Sequence, residues 1–275
     1  MPDDGQRYYA DPFLFSHAGK THLFCEEYPL ATRRGIISVA EVSSDGSIGA
    51  FRSVIERPYH MSYPFVFKHD GQIWMMPETC ESGALELYRA DHFPDRWVLD
   101  RVVIDGIRAC DATIVQMDGQ YCMILTSTRW NGSTSDKQRV FYGASPLGPW
   151  TEHGAGLLRL DSVCARPGGS AFRLKGRLFR PTQDCSTRYG GALTLLETED
   201  LSAAAYREVP VARVEVKAPE GLVGTHTYSA NAWLEAVDVF GAVGGIKSAE
   251  LEVQPLAASR NRTDYRSDAA GALAS

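Results

Sequence analysis

The sequence lacks an excess of positive charge, a long apolar run and any cysteine spacing of the metal-binding kind. Lys and Arg number 28 against 34 Asp and Glu, a formal net charge of −6. The nearest approach to a basic cluster is the pair Arg33-Arg34, so a nucleic-acid partner is not expected. No segment approaches the ~18 consecutive apolar residues of a membrane helix, so no membrane span is expected. The chain opens Met1-Pro2-Asp3-Asp4-Gly5, with acids where a secretory signal carries positive charge. That predicts a cytoplasmic location. Cys25, Cys80, Cys110, Cys122, Cys164 and Cys185 form no C-x-x-C pair. They read as reduced, mostly buried thiols and not as metal ligands. A G-x-S-x-G nucleophile elbow, a phosphate loop and a convincing helical period are also missing.

What the chain does have is an internal repeat of about 50 residues, a spacing in the range of propeller blades. Each copy opens on a polar residue, runs through an apolar strand, turns, and returns through a second apolar strand. The copies begin at Asp11-Pro12-Phe13, Tyr63-Pro64-Phe65, Asp111-Ala112-Thr113, Arg166-Pro167-Gly168 and, more weakly, Thr225-His226-Thr227-Tyr228. Asp70-Gly71 and Asp118-Gly119 are two-residue hairpin signals, and Lys175-Gly176 holds the same place in the fourth copy. Further strands follow each hairpin, among them 35–42, 84–90, 139–144 and 191–197. Four strands per copy is the blade pattern. The expectation is an all-β chain: a five-bladed β-propeller over residues 1–257, its last blade incomplete because the strand signal weakens after Phe240. Residues 258–275, rich in Ala, Ser, Arg and Asp, read as a disordered tail.

In a propeller the first strand of each blade lines the axis, so the residues opening each copy converge on one funnel. That set is Asp11, Tyr63, Asp111, Arg166 and His226. The ends of the second strands add Glu26, Glu78, Arg180, Gln183 and Asp184, and His60 precedes the second copy. Charges at otherwise apolar strand starts are costly unless paired or used. Each one alone reads equally well as a strand cap or an inter-blade link; together they make a candidate site. Carboxylates, amides and guanidiniums match the hydroxyls of a sugar. Tyr8, Tyr9, Tyr59, Tyr63 and Trp130 are candidate platforms for its C–H face. Paired carboxylates are also the minimum for glycosidic bond chemistry.

Several stretches resemble a known family. Ala10-Asp11-Pro12-Phe13 with Cys25-Glu26-Glu27-Tyr28, and Arg57-Pro58-Tyr59-His60-Met61-Ser62-Tyr63-Pro64, are similar to the N-terminal domain of plant glucosamine inositolphosphorylceramide transferases. So are Met76-Pro77-Glu78, Gly148-Pro149-Trp150 and Arg180-Pro181-Thr182-Gln183-Asp184-Cys185. Bacterial polysaccharide-biosynthesis proteins carry a similar domain, sometimes fused to a formyltransferase. A partner glycosyltransferase or formyltransferase is what this resemblance implies. The domain is similar in turn to furanosidase-type five-bladed propeller hydrolases of the arabinanase and β-xylosidase family. That likeness implies Asp11 as general base and Asp111 as the carboxylate that orients and tunes. The fourth-blade position, where those hydrolases place a Glu as general acid, is Arg166 within Ala165-Arg166-Pro167-Gly168. An arginine stays protonated and cannot donate at neutral pH. His226 resembles a fifth-blade histidine that lies by a central calcium ion in some of those enzymes.

The first functional reading is a carbohydrate-binding, glycosidase-like propeller of glycoconjugate or polysaccharide biosynthesis, holding a sugar that includes anionic ones through Arg166 and Arg180. The alternative is an active glycoside hydrolase or transglycosidase with Glu78, or else Glu26, as a relocated acid. A lesser alternative is a protein-interaction propeller. Geometry separates the first two: direct pairing of Arg166 with Glu78 would remove Glu78 as an acid and leave binding.

Overall fold

In the computed structural model, residues 4–128, 132–202, 205–217, 224–241 and 250–256 are described. Trp130 and the segment 258–275 lie outside them. The fold is all-β and propeller-like, with no α-helix among the described residues. The first sheet is β1 (Arg7–His17), β2 (Lys20–Pro29), β3 (Ile36–Val42) and β4 (Arg52–Ile55). The second is β5 (Ser62–His69), β6 (Gln72–Glu78), β7 (Ala84–His92) and β8 (Arg96–Asp105), with a 3₁₀ turn at Cys80–Ser82 between β6 and β7. The third is β9 (Arg108–Met117), β10 (Gln120–Thr128), β11 (Lys137–Gly143) and β12 (Thr151–Leu160). The fourth begins with β13 (Phe172–Leu174), β14 (Arg177–Asp184), β15 (Ala192–Leu201) and β16 (Tyr206–Lys217). β17 (Tyr228–Ala230) and β18 (Glu235–Val237) form a two-stranded sheet, and β19 (Glu250–Pro255) pairs with the outer edge of β16.

Each of the first four sheets is an antiparallel meander in chain order. The repeat therefore folds as blades, and the hairpins explain their regularity. Ala18-Gly19, Asp70-Gly71, Asp118-Gly119 and Lys175-Gly176 all have both residues at positive φ. This is the type I′ geometry whose twist matches that of the strands. The sequence signal after Phe240 was too weak to read: Glu250-Leu251-Glu252-Val253 is a strand, and it extends the fourth sheet instead of completing the last one.

Middle strands are buried on both faces, and successive residues serve different inter-blade cores. On β6, Met75 packs with Phe13, Phe24, Ile37 and Tyr63 toward the first blade. Its neighbours Trp74 and Met76 pack with Leu87, Met123 and Phe141 toward the third. A third core joins Val115, Ile124, Val140, Leu178 and Leu201 across blades three and four.

The inner strands are kinked at the same place. Asp11, Tyr63 and Asp111 have φ of 51, 45 and 54°, and each kink lies at a register shift opposite the second strand. Such a bulge re-aims side chains and frees backbone N–H groups from the ladder. The fourth inner strand departs further. Only Phe172–Leu174 is laddered, and Gly169 (φ +124°) forms a parallel bridge with Tyr228. A Cβ on Gly169 would overlap the Tyr228 carbonyl oxygen. Gly169→Ala should therefore cost on the order of 3 kcal/mol or more. Gly19→Ala, in open space at φ +77°, should cost about 1 kcal/mol. Urea denaturation of both variants checks this; equal losses would show that the close approach is not built as described.

Candidate functional site

The kinked residues gather buried charge around the axis. The Asp11 carboxylate accepts the Tyr63 backbone N–H at 3.0 Å and the Thr227 hydroxyl at 2.6 Å. Its own N–H donates to Asp238 Oδ2 at 3.2 Å. Asp238 also accepts the backbone N–H groups of His226 and Thr227 at 2.8 and 3.1 Å. The His226 imidazole pairs with Asp238, and its Nδ1 lies 4.0 Å from Asp11 Oδ1. Asp11, His226 and Asp238 thus tie the start of the chain to its last two-stranded sheet.

A second knot sits at blades two, three and four. Arg166 donates from Nε to Asp111 Oδ2 at 2.6 Å and from Nη1 to Thr134 Oγ1 at 3.0 Å. Arg166 Nη2 lies 3.5 Å from Glu78 Oε2. Gln183 donates to Asp111 Oδ2 at 2.5 Å and to the Pro167 carbonyl at 2.9 Å. The Tyr189 ring covers this knot, with the Arg166 guanidinium carbon 5.2 Å from its centroid and the His226 ring edge-on at 5.3 Å. Asp111 Oδ1, Glu78 Oε2 and Gln183 Oε1 are buried without a hydrogen-bond partner among the described residues.

A third group flanks the first. Glu26 is buried and its Oε1 lies 3.5 Å from His60 Nε2. His60 Nδ1 accepts the Gly35 N–H at 3.0 Å, which leaves the neutral ring's proton on Nε2, facing Glu26. Gly35 is required here, because a Cβ would sit 2.6 Å from Glu26 Oε1 and 2.7 Å from the His60 ring. Tyr8 stacks on Tyr28 with centroids 4.7 Å apart.

The electrostatics follow from burial and neighbours. Burial pushes the Glu78 carboxyl well above the usual range, Asp111 pushes it further, and Arg166 only partly opposes them. Glu26 is raised by burial and by Asp11. Burial also raises Asp11, to about 6, against the pull of His226. For His226 burial favours the neutral ring, but Asp238 and Asp11 outweigh it and lift the pKa to about 9.

Asp11, Asp111, Glu78, Glu26, Arg166, Gln183, His60 and His226 thus lie in three linked groups about the axis. Three expected ligand residues have other roles. Tyr63 contributes its backbone N–H, but its ring is buried. Its hydroxyl bonds Thr113 at 2.7 Å and the Gly169 N–H at 2.7 Å. Arg180 is fully buried, gripping Glu208 at 2.7 and 2.6 Å on the face of β14 toward blade three. Asp184 caps Ser186 and pairs with Arg213. For Arg180 and Asp184 the alternation along β14 decides: Gln183 faces Asp111, so its neighbour Asp184 and the residue three back point elsewhere. Of the other aromatics, Tyr9 stacks on Phe51 and Tyr59 bonds Glu86.

Sequence reasoning missed Asp238, Thr227, Tyr189 and Thr134. Asp238 had a signal: a lone carboxylate between Val237 and Val239 invites burial with a partner. Tyr189 had none, because it stands six residues beyond Gln183 in a loop with no counterpart in the other copies.

Two trios of ligand-type atoms lie within 4.8 Å of one another: Asp11, His226 and Asp238, and Glu78, Cys80 and Cys110. In the first, the carboxylates already accept backbone and hydroxyl protons, and the protonated imidazole sits between them. Calcium takes six to eight oxygens, waters included, so two carboxyls and an imidazole would supply only part of its shell. The second trio lies against Arg108 and Arg166, and guanidinium groups oppose a cation.

The blades define an all-β propeller-like fold with buried carboxylates about its axis. Among solved structures, a putative glycoside hydrolase from Bacteroides ovatus matches with a TM-score of 0.58 at 12% identity, covering 90% of this chain and 86% of that one. An exo-beta-1,3-galactanase from Clostridium thermocellum matches with a TM-score of 0.57 at 14% identity, covering 75% and 49%. At such identities the likeness is one of fold. Residues 3–235 match the family "Glucosamine inositolphosphorylceramide transferase 1, N-terminal", and the chain belongs to that family. It is 40% identical over 206 residues to glucosamine inositolphosphorylceramide transferase 1 of Oryza sativa subsp. japonica, and 37% identical over 206 residues to that of Arabidopsis thaliana. The match covers 74% of this chain but only 28% and 27% of those proteins.

The raised pKa of His226 makes a test. A group whose pKa is higher folded than unfolded stabilises fully below its unfolded value, near 6.5, and loses that contribution as the pH rises through about 9. Between about pH 7 and pH 9.5 the wild type should lose about 2 kcal/mol more than His226→Gln, whose side chain does not titrate. Parallel pH profiles of unfolding free energy for the two proteins would refute the buried imidazolium.

Proposed function

We propose that this chain binds a carbohydrate at the axial cluster without cleaving it, and serves glycoconjugate or polysaccharide assembly beside an enzyme that carries out the transfer or modification. The observation that carries this reading is Arg166. It stands between Asp111 and Glu78, at 2.6 and 3.5 Å. Glycosidic cleavage needs a carboxylic acid free to protonate the leaving oxygen. Glu78 is buried and uncharged enough to hold a proton, yet its carboxyl is turned to Arg166 and Asp111 instead of an open face. The base position fares no better, since both oxygens of Asp11 already accept hydrogen bonds.

The ligand is a donor-rich polyol. Arg166 and Arg180, which suggested an anionic sugar, are each neutralised by carboxylates within the fold. The buried atoms without a hydrogen-bond partner among the described residues include the acceptors Asp111 Oδ1, Glu26 Oε1 and Gln183 Oε1, together with His226 Nδ1, which faces Asp238 as an ion pair. Sugar hydroxyls, which both donate and accept, would satisfy them. Tyr189 and the Tyr8–Tyr28 stack offer aromatic faces at the edge of the cluster. In this reading β17 and β18 are the remnant of a fifth blade, and the His226 imidazolium takes the place that calcium holds in related propellers. The membership in a transferase family and the free thiols support a role inside the cell, next to a glycosyltransferase or formyltransferase.

One observation favours hydrolysis: burial and Asp111 hold Glu78 protonated. A single set of measurements separates the readings. Wild type, Asp11→Asn, Glu78→Gln and Asp111→Asn are compared by thermal shift and calorimetry on mono- and oligosaccharides, and by turnover of aryl glycosides. Binding by the wild type, about tenfold weaker in Asp111→Asn through one lost charge-assisted hydrogen bond, with no turnover in any protein, is the expected result. Turnover by the wild type that disappears in both Asp11→Asn and Glu78→Gln would establish the hydrolase instead. Millimolar calcium or a chelator should leave the melting temperature unchanged; a calcium-dependent rise would place an ion at His226.

A further inference from the structure

Cys80 opens the 3₁₀ turn after β6, and Cys110 lies on β9, directly before Asp111. Their sulfur atoms and a Glu78 carboxylate oxygen all fall within 4.8 Å of one another. Both thiols are buried, at 7% and 1% exposure. The segment carrying Cys80 lies outside the strand ladder, in a turn closed by the Ser82 N–H to the Thr79 carbonyl and the Thr79 hydroxyl to the Ala84 carbonyl: β6 and β7 pair only at Trp74–Arg89 and Met75–Tyr88. Met76 to Gly83 therefore lie outside that ladder, and Cys80 can approach Cys110 without breaking it.

We infer that Cys80 and Cys110 are a redox pair that closes to a reversible disulfide, clamping blade two to blade three beside Glu78 and Asp111. None of the hydrolase-type features of the fold calls for two facing thiols there. The surroundings assign the order of events. The Cys110 thiol donates to Cys80, and Arg108 and Arg166 lie nearby, so the Cys80 pKa is lowered to about 7 against the effect of burial. Cys110 is raised well above the usual range by its bond to Cys80 and by burial. Burial raises Cys25, Cys122 and Cys164 as well, so none of these is a competing nucleophile.

With a peroxide as oxidant, the Cys80 thiolate attacks one oxygen and the O–O bond breaks. This leaves a sulfenic acid and a hydroxide that takes up a proton as water. Cys110 then attacks the Cys80 sulfur, the S–S bond forms, and the sulfenic oxygen leaves as a second water with the Cys110 proton. Two thiols lose two electrons and two hydrogens, and the peroxide becomes two waters. The product fixes the spacing between the residue two after Glu78 and the residue just before Asp111.

The test uses the full chain, treated with hydrogen peroxide near neutral pH, quenched by alkylation and mapped by peptide mass spectrometry. The expected result is a mass loss of two hydrogens, a linked peptide joining Cys80 to Cys110, two fewer titratable thiols, and reversal by dithiothreitol. Oxidation should also raise the melting temperature, because a closed loop of about 30 residues restricts the unfolded chain. In Cys110→Ala the linked peptide should vanish and Cys80, still beside Arg108 and Arg166 but without the Cys110 donor, should be trapped as a sulfenic acid by dimedone more slowly than the wild type forms its disulfide. In Cys80→Ala, Cys110 should stay reduced under the same treatment. A wild-type map with no Cys80–Cys110 peptide, or with Cys185 as the oxidised residue, overturns the inference even if neither variant folds. The outcome does not depend on what the axial site binds.

Discussion

The ring is held shut by one buried carboxylate. Asp11 lies on the first inner strand, yet its oxygens accept hydrogen bonds from the Tyr63 N–H in the second blade and from the hydroxyl of Thr227, the residue before β17. Its N–H is held by Asp238, which also gathers His226. Sequence separations of more than 200 residues are closed through this group. A buried carboxylate is costly unless its lone pairs are filled. The kink at Asp11 lets it meet that requirement, because the bulge turns strand backbone toward the axis while leaving the ladder on either side intact.

The second constraint is the charge at Arg166. A carboxylic acid there would have left Asp111 and Glu78 facing a third acid, and one or more would be protonated. An arginine reverses this: Asp111 becomes a hydrogen-bonded partner, and Glu78 is turned inward. Removing the guanidinium would strand buried acids, a loss of about 3–5 kcal/mol where one partner of a buried pair is deleted. Arg166 is therefore also the residue that holds blades two, three and four together, and placing a free carboxylic acid there would mean rebuilding the environments of Asp111 and Glu78.

Much of the blade pattern was legible because it is local. Hairpin chemistry at Asp70-Gly71 and Asp118-Gly119, and two-residue alternation on either side, need no tertiary information. The kinked residues were legible for the same reason, as polar breaks in apolar strands. What failed required knowledge of facing. Arg180 and Gln183 are three apart on β14, and only their position relative to blade three separates a structural ion pair from a group at the axis. The last strand was lost because Glu250, Glu252 and Gln254 face outward on an edge, which gives little apolar signal. Asp238 and Tyr189 enter the site from segments with no repeat partner, so alignment of the copies could not reach them.

A shared fold does not by itself carry shared chemistry. The glycosidase-type propeller supplies three things: kinked inner strands, inter-blade cores and an axis where side chains from distant repeats meet. Those features fix positions, not roles. Roles depend on which proton each group holds, and that follows from its immediate neighbours. Asp11 beside the His226 imidazolium, Asp111 beside the Arg166 guanidinium and Glu26 beside the neutral His60 are three carboxyls in one funnel with three different environments. In the first two the positive partner is built into the fold. In the proposed binding role a sugar would meet acceptors whose negative charge is already balanced, which suits hydroxyl recognition and leaves little driving force for moving a proton.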